Sequence, residues 1–521
     1  MRFTILLMLP GIAYAQARPL DWSFYGGDAQ RTGWEKSDTR ITKDNIKDFQ
    51  LVLKRKLGNA QGGPRSLTPP VVIGNLISYK GFKELAFIAG GSGMLWSIDV
   101  DTDRIFWQKQ LESSVTAKSS GACAASGLAT PSLTPPMNFG ARPRPAAGAP
   151  AAPPPASRSV LGSTNFGSPR PAFALTSDGK LHVLNTSVGD DLMPAIPFIP
   201  PNAKASSLTI SDGAIYTTTN AGCGDAPSGV WSLDLSKVDP KDPAAMPKVA
   251  SFRTNGGNVG GIGGLAFGTD GTLYLQTGDG PTDPASNKWS RTLLALTPKD
   301  LTVKQYFSTP SGSATKGASP ATPVVFAVNG KDVVVTAGSD GALYLLDAQA
   351  LGGDDHKTPL SKTVPLTTAG RGIWGGLSSW QDADGTRWVL APVWGKLSPE
   401  LKLGGEGVAH GAIVAFRVDD HEGKPTLTPA WASRDMSSPE PPVITSGVVF
   451  ALSAGEYASE EKGSGHATLY AFDGATGKEL YSTGSQVNAP ANLTGMTLAN
   501  GRVYFTTTDG FLYAFGIFLE R

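Results

Sequence analysis

A turn, TGDGPTDP (277–284), separates two strand-like runs, LYLQT and TLLAL, and puts Asp279 at its tip. A carboxylate there suits a hard cation, and it equally suits the turn itself. Trp374, in GRGIWGGLSSW, is flanked by glycines, an arrangement that suits a stacking platform for a flat ligand or a packing residue. The five histidines are dispersed without zinc-like spacing. No Gly-rich phosphate loop or Gly-x-Ser-x-Gly elbow stands between a strand and a helix. Cys123 and Cys223 are the two cysteines, a disulfide candidate in an oxidising compartment, and no CxxCH attaches a haem.

The elements that must position these residues repeat. One pattern, aliphatic, aromatic or long, small, aliphatic and often Asp, recurs as LWSID (95–99), LHVLN (181–185), VWSLD (230–234) and LLALT (293–297). It returns as LYLLD (343–347), IVAFR (413–417), LYAFD (469–473) and LYAFG (512–516). A second β-rich run precedes each copy, with turns such as SDGA and TDGF between several pairs. The spacing fits one four-stranded blade per copy. The sequence therefore predicts an all-β, eight-bladed β-propeller of four-stranded antiparallel blades. FQLVLKRKL (49–57) is a spare strand that would complete the last blade and close the ring. The Pro/Ala-rich tract around 131–159 reads as a disordered loop inserted in the propeller domain, 18–521.

Composition supports this and excludes other classes. Glycine (63) and proline (40) suit a turn-rich β-protein among the 521 residues. Charged residues are 17% and the net charge is +1, so no broad field favours nucleic acid as a partner. Residues 1–17 carry Arg2, an apolar run and small-x-small sites ending at Ala15 and Ala17. They read as a secretory signal peptide, with no lipid-anchor cysteine after it and no later transmembrane run, and predict a periplasmic or secreted protein.

With DWSFYGGDAQRTGW (21–34), ITKDNIKDFQLVLKRKL (41–57) and the tails LWSIDVDTDRIFW and LYAFDGATGKELY, the chain resembles the pyrroloquinoline quinone (PQQ)-type eight-bladed propellers. That family comprises quinoprotein alcohol dehydrogenases and non-enzymatic relatives. The resemblance implies that Asp279 stands where the dehydrogenases use an asparagine to ligate Ca²⁺ beside PQQ. It also implies that tail tryptophans dock on the next blade. The dehydrogenase pocket is not matched elsewhere. No two cysteines are adjacent, Ile262 stands near the position of the stacking tryptophan, and 308–326 contains no catalytic carboxylate. Glu406, close to His410, and Glu456 are candidates for a substitute base, or solvated loop residues. The expected function is a binding or scaffold propeller with a degenerate quinone site, presenting its blade loops to a protein partner. The alternative is a divergent PQQ- and Ca²⁺-dependent dehydrogenase of an alcohol or sugar.

Overall fold

The computed structural model describes residues 21–59, 63, 65–78, 81–115, 128–134, 170–239, 248–311, 320–403, 407–455 and 465–517. The expected signal peptide, Cys123, most of the Pro/Ala-rich tract, Glu406 and Glu456 lie outside them. The expected architecture is present: eight small sheets, each one blade, arranged in a ring. Blade 1 pairs Val71–Ser78, Gly81–Ala89, Met94–Asp99 and Arg104–Gln110 in chain order. The repeated pattern is always the third strand. Its residues are buried on both faces, as in the wholly buried Leu343 to Leu346, because every blade is sandwiched between two others. This explains why the strands read as continuous apolar runs rather than as clean alternation. The fourth strands, such as Ala250–Arg253, lie at the rim and alternate between half-buried and exposed.

Several first strands are short and buried, on the axial side of their blades. Ser132–Leu133, Ala266–Phe267 and Thr497–Ala499 are examples. Ser132–Leu133 opens blade 2 and is a strand, although it falls in the tract expected to be a loop; pairing with Pro171–Leu175 decides its conformation. Three blades exceed four strands. Blade 3 adds Lys204–Ala205, blade 6 adds Thr367–Ile373, and blade 7 adds Trp34–Glu35, which pairs in parallel with Val443–Thr445. Phe49–Lys56 pairs antiparallel with Phe511–Ile517 and supplies the outer strand of blade 8, closing the ring. Tail tryptophans tie blades together. Trp107 donates its indole N–H to the Thr186 carbonyl (2.9 Å) and Trp431 donates to that of Gly474 (3.0 Å). Trp431 covers Gly477, where φ is 72° and a Cβ would lie 2.7 Å from the indole, so only glycine fits.

The segment before the closing strand plugs the axis. Trp22 exchanges backbone hydrogen bonds with Val72 of blade 1, and the Ser23 carbonyl accepts from Leu133 of blade 2. The carbonyls of Ala29, Gln30, Thr32 and Gly33 accept from Phe267, Val325, Ser379 and Ile444, in blades 4 to 7. Arg31 reaches Thr209 of blade 3, and the Tyr25 ring packs on Gly495 at the entry to blade 8. One short stretch of chain therefore touches all eight blades.

The seam between blades 8 and 1 holds a buried acid. Arg502 pairs with Glu84 (3.2 Å) and Asp101 (3.1 Å), and the Tyr504 hydroxyl donates to Glu84 (3.3 Å). Burial pushes the Glu84 carboxyl up to about 7, against the pull of Arg502. Below the ordinary carboxylate range Glu84 is protonated folded and unfolded. As pH rises toward 7 the unfolded chain ionises first, so the folded state loses stability, by about 3 kcal/mol at most, and does not regain it above 7. Urea midpoints of wild type and Glu84→Gln at pH 5 and pH 8 should differ by this pH-dependent increment. Equal slopes in the two proteins would remove Glu84 as its source.

Candidate axial binding site

Segments that lead into the first strands converge on the axis, and a pocket of about 150 Å³ opens there. Every blade except the seventh contributes lining, for example Thr68, Thr130, Ser207, Val259, Pro320 and Thr494. The walls are stitched across blades. Leu208 N–H donates to the Thr130 carbonyl (3.0 Å), and Ile262 N–H donates to that of Gly375 (2.9 Å). Asn220 of blade 3 grips the Val259 backbone at both ends, donating at 3.0 Å and accepting at 2.7 Å. Such a wall is pre-organised rather than assembled by a ligand.

The floor lies against the plug. Gly263, Gly376 and Gly495 each follow a lining residue in sequence, and each packs against Tyr25. The plug is held by Arg31, which is 2% exposed. Its guanidinium donates to the carbonyls of Tyr25, Leu265 (2.6 Å) and Gly263 (3.2 Å) and to the hydroxyls of Thr209 and Ser207 (3.5 Å). Burial lowers Arg31 to about 10, which leaves it charged at neutral pH. The axis is thus a well closed at one end.

Three side chains give the well its chemistry. Trp374 is buried, lines the wall, and has its ring stacked on Trp394, with centroids 4.4 Å apart and planes 15° from parallel. The Arg65 guanidinium lies 5.9 Å from the Trp374 ring centroid. Arg65 has a left-handed backbone (φ 61°), as does Leu493 (φ 55°) in the same wall. Non-glycine residues in that region carry strain that the surroundings must impose, and such strain clusters at ligand sites. Lys204, half-buried on the strand added to blade 3, is the other cation of the lining. Burial, and then the charge of Arg65, lower its ammonium below the ordinary lysine range.

Of the residues singled out from the sequence, Trp374 and Ile262 both line the well. Asp279 does not. It is exposed on its turn, whose Gly278 and Gly280 carbonyls accept from the backbone and guanidinium of Arg291 (2.8 and 3.0 Å). His410 is exposed and pairs with Asp435 (2.6 Å). Cys223 is buried and disulfide-bonded. No cluster of three or more potential metal ligands occurs among the described residues. Sequence reasoning missed Arg65 and Lys204. Each looks like an ordinary surface charge in GPRSLTPP and PNAKASS, but both stand in segments entering a first strand, the positions a propeller turns toward its axis.

The lining tests the two ligands that the resemblance implies. Ca²⁺ does not fit it: the described lining offers hydroxyls, an amide and two cations, with no carboxylate to offset their repulsion of a divalent ion. A flat, carboxylate-bearing molecule does fit, with an indole face beside the guanidinium and the ammonium.

No protein-family model and no curated protein matches the chain. Solved structures do. The europium-containing methanol dehydrogenase aligns at 13% identity over 96% of this chain and 98% of its own, with a TM-score of 0.60. The quinohaemoprotein alcohol dehydrogenase of Comamonas testosteroni aligns at 14% identity over 97% of this chain and 82% of its own, with a TM-score of 0.57. At such identities the likeness is one of fold, and what this chain shares is the eight-bladed propeller of the quinoprotein alcohol and methanol dehydrogenases.

Proposed function

We propose that this chain is an exported binding propeller, periplasmic or secreted, whose axial well takes a small, flat carboxylate, and that its blade loops meet a protein partner. The observation that carries the ligand is the pairing of Arg65 and Lys204 beside the Trp374 ring in a pre-organised, one-ended pocket. A carboxylate in this cavity meets two positively charged side chains, so it is drawn in more strongly than a neutral ligand. Oxidation of an alcohol at a quinone needs a general base and a cation to polarise the quinone. The described lining supplies positive charge but no carboxylate base.

PQQ is itself a flat polycarboxylate, so it belongs to the ligand class even where its redox chemistry is not supported. Titration calorimetry of the mature protein with PQQ, with and without Ca²⁺, and with a simple aromatic carboxylate separates the readings. The binding reading expects calcium-independent heat, reduced about tenfold or more in affinity by Arg65→Ala, the loss of one charge-assisted contact. Calcium-dependent binding abolished by Asp279→Ala would instead support the dehydrogenase reading, with Asp279 as the metal ligand.

A further inference from the structure

Lys204 differs from Arg65, the other cation of the described lining, in its chemistry. A guanidinium stays protonated, whereas an ammonium deprived of water and set beside a second cation gives up its proton more readily and then acts as a nucleophile. Lys204 meets both conditions. It sits half-buried in the axial lining, and Arg65 lines the same cavity. Among the described residues it has no ion-pair partner. Its strand is fixed by pairing with Ala214–Asn220, in register Lys204 with Asn220, and Asn220 is itself locked to Val259. The amine therefore extends from a rigid wall.

We propose that Lys204 captures carbonyl compounds covalently: an aromatic 2-oxo acid binds with its carboxylate on Arg65 and its ring against Trp374, and the Lys204 amine forms an imine with its carbonyl carbon. This rests on the carboxylate-binding reading above and adds a covalent step to it. The Nε lone pair adds to the carbonyl carbon to give a carbinolamine. The carbon–oxygen bond then breaks, the oxygen leaves as water with the two protons of the amine, and the C=N bond forms. Nothing is oxidised or reduced. Protonation of the imine restores a positive charge at the position of the original ammonium, where the bound carboxylate stabilises it. The lowered affinity of Lys204 for its proton, caused first by burial and then by Arg65, provides the neutral amine that the first step needs.

The test is trapping with borohydride at pH 7 in the presence of phenylpyruvate, followed by intact-mass measurement and peptide mapping. Calorimetry with 3-phenylpropanoate, which lacks the carbonyl, runs in parallel. Ordinary lysines are unprotonated to a fraction on the order of 10⁻³ or less at this pH. The expected result is one adduct per chain at Lys204, equal to the ligand mass less one oxygen atom, with yield about tenfold or more above any other lysine. Lys204→Arg, which keeps the charge, should remove the adduct, and Arg65→Gln should weaken both labelling and 3-phenylpropanoate binding. Label spread evenly over lysines, or undiminished in Lys204→Arg, would overturn the proposal. Binding of 3-phenylpropanoate with no label at Lys204 would overturn covalent capture and leave the carboxylate reading standing. Failure of both would remove the two together.

Discussion

Arg31→Ala is expected to destabilise the fold by about 4 kcal/mol or more, a larger effect than that of most buried apolar truncations. Five acceptors from the plug and from blades 3 and 4 converge on this one guanidinium, and all of them are neutral. Truncation takes the donor from the Tyr25 and Leu265 carbonyls and the Thr209 hydroxyl in a space too enclosed for ready hydration, while the Gly263 carbonyl keeps the Leu265 N–H and the Ser207 hydroxyl. Each buried group left unsatisfied costs roughly 1–3 kcal/mol, partly offset by relief of the cation's own desolvation. The left-handed backbone of Arg31 (φ 65°) adds to what the contacts must hold. Arg31→Lys keeps the charge but not the planar fork and should recover only part of the loss. The measurement is the guanidinium chloride midpoint at unchanged slope. A loss below about 1 kcal/mol would mean that the plug does not depend on this fork.

Leu53→Asp is the second large effect. Leu53 is 3% exposed and points inward from the strand that closes blade 8, opposite Ala514. The substitution forfeits about 2 kcal/mol of apolar burial and forces a carboxylate into the core cluster that joins blades 7, 8 and 1. Release of Phe49–Lys56 should cost about 4 kcal/mol in total and expose the unpaired edge of Phe511–Ile517. Two readouts apply: a lowered urea midpoint, and concentration-dependent self-association by size-exclusion chromatography. Gln50→Glu, on an exposed position of the same strand, should stay within about 0.5 kcal/mol of wild type. Equal effects of the two substitutions would show that inward packing of this strand does not hold the ring.

The propeller was legible because each blade repeats a hairpin whose second and third strands have enough length to carry a pattern. Leu469, Ala471 and their equivalents occupy the same register in every copy, and the spare strand at 49–57 announced how the ring closes. The first strands were not legible in the same way. Ala266–Phe267 and Ser132–Leu133 are two residues long, and their partners include a plug more than a hundred residues away in sequence. Segment 21–34 was recognisable only as a resemblance, since its contacts run to every blade and leave no local period. At the site, Trp374 stood out through its glycines. Arg65 and Lys204 did not, because what distinguishes them is mutual proximity across blades 1 and 3, a property of the ring and not of either segment.

The plug and the closing strand also set an order of events. Both lie near the start of the described chain, yet the plug lacks its Gly495 contact and the closing strand lacks Phe511–Ile517 until blade 8 is made. A chain emerging vectorially must therefore hold Phe49–Lys56 without its partner while blades 1 to 7 are made, and the last contacts to form span more than 450 residues. Loop closure of that length is slow and leaves apolar edges exposed in the interim. Completion of this protein is thus a single late event in which the two extremes of the described chain meet. Until then the axial well lacks the wall that Leu493 and Thr494 give it, so ligand binding can serve as a readout of the final folding step.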